Sequence, residues 1–149
     1  MPLEPSQTQI DALRDLERAT QFQDAAMVED ALAHAFNAGL HVKMSSLLIT
    51  LAEARWHTRH DDVVSALQRL RSPEAVDALE RVALTAHTYL DYDEFSGLAR
   101  KCTWALADIG TPAAYQALER LARSPNPSIA GYATKRIARW HDERHRKPA

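Results

Sequence analysis

The stretch WHTRHDD, Trp56 to Asp62, holds the residues best suited to metal chemistry. His57 and His60 lie three residues apart, with Asp61 and Asp62 directly after them. Two imidazoles and a carboxylate can hold a divalent metal. The same stretch has the character of a connection between helices, where polar side chains are usually solvated. We therefore interpret both histidines as solvated turn residues and predict neither a metal nor a cofactor.

Other catalytic and binding motifs are absent or incomplete. Asp91, Asp93 and Gly97 resemble part of a calcium loop, but Phe95 occupies a ligand position and Cys102 stands where a bidentate glutamate belongs. There is no Gly-x-Ser-x-Gly turn, no glycine-rich phosphate loop and no Cys-x-x-Cys. The single cysteine lies on the apolar stripe of a helix, which favours a buried structural thiol. We predict that the protein is not an enzyme.

Composition indicates one helical domain, and the single cysteine suits a reducing compartment. The 149 residues are 46% hydrophobic and include only 4 glycines, which suits a helical core. A net charge of -2 gives no basic field for general nucleic-acid binding. The sequence has no apolar run of membrane-spanning length and no secretion signal at its start, so we expect a cytoplasmic protein.

Helix boundaries are marked clearly. Apolar spacing predicts helices over about 7–22 and 24–38, the second ending at Gly39. Ser72 and Thr111 each precede a proline and are predicted N-caps, while Gly110 marks the end of another helix.

The chain repeats itself at an offset of 39 residues. SPEAVDALERVAL (72–84) aligns with TPAAYQALERLAR (111–123), and the helices that follow share their apolar positions. These repeats predict a single all-α domain, 1–149, built as an α-solenoid of about eight helices in antiparallel pairs, stacked into a right-handed superhelix. Its units are 7–38, 42–71, 72–110 and 111–145.

One connection between paired helices is unusually long. Matching core positions are 19 residues apart from Leu48 to Leu67, but 27 residues apart from Leu79 to Leu106. The eight extra residues fall in AHTYLDYDEF, and an insertion of that size costs folding only about 1 kcal/mol or less. It can therefore be kept for a surface purpose.

The connections within all pairs must emerge on one edge of the stack, where the long loop would enlarge a recognition surface. Tyrosines give contact area and carboxylates suit a basic partner. Trp104, with Arg100 one turn before it, is a predicted exposed anchor. Two alternatives stay open: Trp104 packs beneath the loop, or the tyrosines lie in a groove between repeats. The predicted partner-binding residues are Trp56, His57, Arg59, His60, Tyr89, Asp91, Tyr92, Asp93, Glu94, Arg100, Lys101 and Trp104.

The repeats resemble HEAT-like repeats of the phycobilin-lyase type. The segment Ala105 to Gly110 is similar to the end of the second helix in that group, and the resemblance spans roughly residues 42 to 140. It implies a HEAT-like superhelix. An arginine typical of the second helix is absent, with His60, Ala99 and Ala130 in its place.

A narrower resemblance involves RWHTRHDDVVSALQRLRSPEAVDAL and YLDYDEFSGLARKCTWALADIGTP. These segments are similar to small bacterial HEAT-repeat immunity proteins of polymorphic or contact-dependent toxin loci. The resemblance implies binding of a cognate toxin domain. The carboxylates of the long loop would suit a basic nuclease-type toxin. We expect the chain to be a monomer or a weak dimer.

The alternatives are a HEAT-repeat enzyme, lyase-like or similar to metal-dependent hydroxylases, and a HEAT-like DNA-binding protein. The hydroxylases use repeated His-Glu pairs, and this chain has none. The DNA-binding alternative depends on the basic segment KRIARWHDERHRK. Cations near the end of a helix are also favoured by its dipole, so we predict a solvated terminal helix whose Trp140 covers the core.

Overall fold

The computed structural model describes residues 4–90 and 96–146, with side chains up to residue 143. None of the helices within these ranges is long and apolar enough to traverse a bilayer. Short 3-10 turns at Val42–Met44, Pro73–Ala75 and Thr88–Leu90 join some of the helices. The α-helices are α1 (Gln7–Phe22), α2 (Ala25–Ala38), α3 (Ser45–Glu53), α4 (His60–Leu70), α5 (Val76–Leu84), α6 (Gly97–Ile109), α7 (Pro112–Leu121), α8 (Pro127–Ala138) and α9 (Trp140–Arg146).

The helices form two layers. In the first layer α1, α3, α5 and α7 lie side by side, and in the second layer α2, α4, α6 and α8 do the same. Each first-layer helix packs against the second-layer helix that follows it, and α9 lies against α6. The described residues contain no strand. The predicted all-α solenoid is confirmed, with α9 as a helix beyond the expected eight.

The core follows the repeat. Leu48, Leu67, Leu79, Leu106 and Leu118 occupy matching positions in successive helices, and each is completely buried. A single helix pair cannot shield these side chains from water, so each unit depends on its neighbours for its core. The stack is therefore held together by apolar contacts between adjacent units.

Most helix ends lie where the capping residues next to them predict. The first helix begins with the capping box of Ser6 and Gln9, and α2 ends at Gly39. Gly110 adopts φ 70° after α6, a left-handed conformation that glycine takes without strain. The Thr111 side chain accepts a hydrogen bond of 3.1 Å from the Ala114 amide. The helix ends at Gly39 and Gly110 and the cap at Thr111 were predicted from the sequence.

Ser72 is the exception. Its hydroxyl makes no capping bond, because the residues after it form a 3-10 turn before α5 begins. It is buried instead, with its Oγ 2.8 Å from the Ser45 Oγ. Ser72 stands at the predicted N-cap position before Pro73, but the predicted capping bond is not formed, since a contact with the preceding repeat takes the hydroxyl away from the helix end.

Ion pairs cross the first layer from repeat to repeat. Arg81 on α5 contacts Glu53 on α3, with Nε 2.5 Å from Oε1. Arg120 on α7 makes two bonds of 2.8 Å to the carboxylate of Glu80 on α5. Arg81 and Arg120 are the matching residues of the two aligned segments, so the same position joins successive units twice.

Candidate functional site

The candidate site is the edge of the stack at which each first-layer helix ends. The described residues of the connections on this edge, which we call the loop edge, are 23–24, 54–59, 85–90, 96 and 122–126. Two large apolar side chains are exposed there: Phe22 at the end of α1 is 65% exposed, and Leu84 at the end of α5 is 57% exposed. Neither was predicted as a contact residue: Phe22 is the last residue of the predicted helix 7–22, where it was expected on the apolar stripe, and Leu84 is the last residue of the aligned segment 72–84.

The two predicted histidines lie on this edge, but inside it. His57 is 2% exposed and His60 is fully buried, so their prediction as solvated turn residues is wrong. The reason is packing between repeats, which closes the connections over the ends of the helices. Buried histidines cannot themselves form a contact surface for a partner.

Both ring nitrogens of His57 have backbone partners. Its Nε2 lies 2.7 Å from the carbonyl oxygen of Leu51, and its Nδ1 accepts a bond of 3.0 Å from the Arg59 amide. An amide can only donate, so Nδ1 carries no proton and Nε2 donates to the carbonyl. The ring is held as one neutral tautomer.

His60 is held in the same way at α4's first residue. Its Nε2 lies 2.6 Å from the Ala54 carbonyl oxygen, and its Nδ1 lies 2.5 Å from the Tyr89 hydroxyl. Because Nε2 donates to the carbonyl, Nδ1 accepts from the hydroxyl. Tyr89 therefore acts as a donor that joins the long connection to α4.

A third histidine, His87, completes a stack of rings. Its centroid lies 4.0 Å from that of His60, which in turn lies 4.2 Å from that of His57. His87 is 7% exposed, and its Nε2 has no hydrogen-bond partner among the described residues. We call His57, His60 and His87 the histidine stack. Sequence reasoning missed His87, although the His-Thr dipeptide recurs in both connections as His57-Thr58 and His87-Thr88.

The surroundings of the histidine stack favour neutral rings. Burial is the main cause that lowers the pKa of His57, His60 and His87. The guanidinium of Arg55 lowers the pKa of His60 and His87 further, while Asp61 acts in the opposite direction on His60.

The nitrogens of the stack are not arranged to share a metal. Those of His57 and His60 are engaged in hydrogen bonds with Leu51, Ala54, Tyr89 and the Arg59 amide. Within residues 4–90 and 96–146, no three His, Cys, Asp or Glu side chains come together as a metal site would require. What the stack can do is hold two connections together.

A hydrogen bond also joins these two connections directly. Arg55, in the connection before α4, donates a bond of 2.9 Å from Nη2 to the carbonyl oxygen of Ala86 in the connection before α6. The contacts of Arg55 with Ala86, of His60 with Tyr89 and of His60 with His87 all join the same two segments.

A groove lies next to His87. It has a volume of about 260 Å³ and runs between the end of α5, the start of α6 and the start of α8. Leu84, Leu90 and Ile129 give it an apolar part, and Asn126 gives it a polar border. An exposed leucine beside a groove is the kind of feature that a partner side chain can fill.

Trp56 and Arg59 are both partly accessible on the loop edge. Trp56 packs against the core and meets the His57 ring edge-on, with centroids 5.4 Å apart. Arg59 forms an ion pair of 2.6 Å with Glu29 on α2. Each therefore has a structural partner besides any role in binding.

The residues predicted on α6 lie on the second layer. Arg100 is exposed, and Lys101 donates a bond of 3.2 Å to the Ser65 hydroxyl on α4. Trp104 is half-buried, because the guanidinium of Arg136 stacks 3.6 Å from the centre of its ring. The prediction of an exposed Trp104 anchor is thus corrected: α8 covers one face of the indole.

The predicted loop tip, Asp91, Tyr92, Asp93 and Glu94, lies outside the described residues. Of the two tyrosines, only Tyr89 is described, and it is partly buried against the histidine stack. The structure therefore brings Trp56, Arg59 and Tyr89 to the edge, and sets Arg100, Lys101 and Trp104 on the neighbouring layer.

The basic C-terminal segment is divided by its packing. Lys135 and Arg139 are exposed, whereas Arg136 is only 3% exposed and pairs with Glu143 on α9. Trp140 packs against the core and meets Tyr115 edge-on, which confirms its predicted covering role. The charge of Arg136 is thus removed from any basic surface.

Residues 98–124, which span most of α6 and all of α7, match the family model described as PBS lyase HEAT-like repeat. This match identifies a HEAT-like repeat in the chain. No curated protein and no solved structure gives a significant match. Stacked helical repeats offer extended surfaces to other proteins, so the HEAT-like repeat indicates a protein-interaction module.

Proposed function

We propose that the chain is a non-catalytic protein-binding module whose contact surface is the loop edge. The observation that carries this proposal is the pairing of the exposed Leu84 with the groove beside it. Apolar side chains at an interface contribute when a partner removes them from water, and burying a leucine is worth about 1.5–3 kcal/mol. Phe22 offers a second such side chain on the same edge.

The contacts that hold two connections of the loop edge together support the same role. Connections are usually mobile, but here the histidine stack and the Arg55 bond to Ala86 fix two of them relative to each other. A surface that is already ordered loses less entropy when it binds. The loop edge therefore combines apolar contact area with preorganisation.

The partner we propose is the cognate toxin domain of a bacterial toxin locus, which makes the chain an immunity protein acting in the cytoplasm. The support is the resemblance of the segments around the two connections and the acidic sequence from Asp91 to Glu94. An acidic segment in the sequence and an apolar groove on the loop edge suit a partner that offers basic residues and an apolar side chain. A nuclease-type toxin has this chemistry, because it must bind a phosphate backbone.

Two matched variants test the proposed surface. Leu84→Glu places a charge beside the groove, whereas Val42→Glu places one at a valine that is 52% exposed on the opposite edge of the stack. We expect Leu84→Glu to weaken binding of the toxin domain encoded by the adjacent gene tenfold or more, the equivalent of about 1.4 kcal/mol. Val42→Glu should bind as wild type does, and circular dichroism should show both variants folded.

The immunity role has its own readout. Cells that produce the toxin domain should grow when they also produce the wild-type chain or Val42→Glu, and should fail to grow with Leu84→Glu. Binding without protection would refute the immunity role and keep the binding module. Equal binding by both variants would refute the loop edge as the contact surface.

A further inference from the structure

The histidine stack joins two connections that are far apart in sequence. His57 belongs to the connection before α4 and His60 begins α4, while His87 belongs to the connection before α6. All three rings are at least nine-tenths buried, and their centroids are 4.0 and 4.2 Å apart. Close stacking of this kind is compatible with neutral imidazoles, since three adjacent positive charges would repel one another at these distances.

The hydrogen bonds of His57 leave no place for a second proton. Its Nδ1 faces the amide hydrogen of Arg59, so a proton on that nitrogen would set two donors against each other. The ring must leave its place or lose that bond when it becomes charged. The contact of His60 differs, because the Tyr89 hydroxyl can rotate and accept instead of donating.

Of the three rings, His87 would break the fewest hydrogen bonds by moving. Its Nε2 is buried without a partner among the described residues, so no hydrogen bond of that atom is broken when the ring moves towards water. It also borders the groove on the loop edge, which gives it a path outwards.

The charges around the stack do not compensate for protonation. Arg55 is positive and acts on both His60 and His87, and the rings act on one another. Asp61 on α4 is the acid whose field reaches His60. On α6, Cys102 interacts with the same Asp61, and its thiol stays neutral because burial, and then Asp61, raise its pKa. The acids at 91, 93 and 94 follow His87 in sequence and lie outside the described residues.

We propose that the histidine stack is an acid-sensitive fastening: neutral rings hold the connections before α4 and α6 together, and protonation separates them below neutral pH. The lowered pKa of each ring supports this direction, because the separated state binds protons more readily than the closed one. Separation would expose Tyr89 and widen the groove on the loop edge. The inference rests on the contacts of the chain itself, whether or not that edge binds a toxin.

Hydrogen exchange of the full chain, followed by NMR at pH 7.5, 6.5, 5.5 and 5.0, tests the proposal. Rates are divided by the intrinsic rate at each pH to give protection factors. We expect amides in 54–60 and 86–90 to lose protection about tenfold per pH unit for each proton taken up on opening. Amides in α1 and α2, which contain no member of the stack, should stay better protected than those of the two connections at every pH. In parallel, the ring signals of His57 and His60 should report the neutral tautomer with the proton on Nε2.

His87→Phe gives the decisive variant. Phenylalanine keeps a flat ring in the stack, removes no hydrogen bond of Nε2 and cannot be protonated. We expect it to preserve protection at pH 7.5 and to weaken the pH response of both connections. His34→Phe is the matched control, because His34 lies on α2 against Asp15 and away from the stack; it should leave the response unchanged.

Three results would overturn the proposal. The first is constant protection of both connections between pH 7.5 and 5.0. The second is protection in both connections equal to that in α1 and α2 at every pH, which would mean that the connections open only when the whole chain unfolds. The third is a pH response in His87→Phe equal to that of wild type. If His87→Phe does not fold, the ring titrations and protection factors of the wild-type chain decide between the first two results and the proposal.

Discussion

Removing one charge from the buried pair of Arg136 and Glu143 should destabilise the C-terminal end of the stack. The side chains are 4% and 10% exposed, and Nη1 of the arginine lies 2.5 Å from Oε1 of the glutamate. The same guanidinium stacks on Trp104. Glu143→Gln keeps the shape of the side chain but leaves a buried cation without its counter-charge.

The expected cost follows from the surroundings of the pair. Breaking a buried ion pair by changing one partner costs about 3–5 kcal/mol. Helix α9 has only 7 residues, so it can detach and let Arg136 reach water before the rest of the chain unfolds. We therefore expect a loss near the lower end, about 3 kcal/mol. With a urea dependence of about 2 kcal/mol per molar, the midpoint should fall by roughly 1.5 M.

Urea unfolding followed by circular dichroism measures this loss, with two variants for comparison. Glu80→Gln breaks the Arg120 pair, whose arginine is 50% exposed, and should cost at most about 1 kcal/mol. The double variant Arg136→Met with Glu143→Leu replaces the charges by apolar groups and should lie within about 1 kcal/mol of wild type. Equal losses for Glu143→Gln and Glu80→Gln would refute the reasoning, as would a double variant no more stable than Glu143→Gln.

Three further predictions concern the rest of the chain. Burial lowers the pKa of the histidine stack, so the unfolded chain binds more protons than the folded chain below pH 6.5. As the pH falls, the free energy of unfolding should therefore decrease by up to about 1.4 kcal/mol per pH unit for each histidine. Urea unfolding at pH 8.0, 6.5 and 5.5 measures this decrease, and a free energy of unfolding that does not change with pH would contradict it. Thr111→Ala removes the cap of α7 and should cost about 1 kcal/mol by thermal unfolding, whereas a neutral result would mean that water replaces the hydroxyl. Cys102 is fully buried, so its thiol should react with a thiol reagent only as fast as the chain opens, and rapid reaction in the folded state would contradict its burial.

Much of the fold could be predicted because its signals are local. The bounds of α1, the end of α2 at Gly39 and the cap at Thr111 depend on residues within one helical turn. The buried leucines could be predicted as well, since the repeat places them at equal positions in each unit. Local chemistry and the repeat therefore account for the architecture.

The missed features are those that depend on contacts between repeats. The burial of His57 and His60 arises because the connections of neighbouring repeats pack on each other, which no local pattern records. The same is true of Arg136, which stands in a basic segment but is covered by α9. From the sequence alone, polar residues in predicted loops are expected to be solvated. Here packing between units buries them instead.

The ion pairs of Arg81 with Glu53 and of Arg120 with Glu80 join successive units on the first layer alone. Both arginines are at least half exposed, so dissolved salt weakens these pairs while leaving the apolar core contacts in place. The second layer has no such series of matched pairs among the described residues. A part of the resistance of the stack to bending should therefore depend on the ionic strength of the surrounding solution, and that part belongs to the first layer.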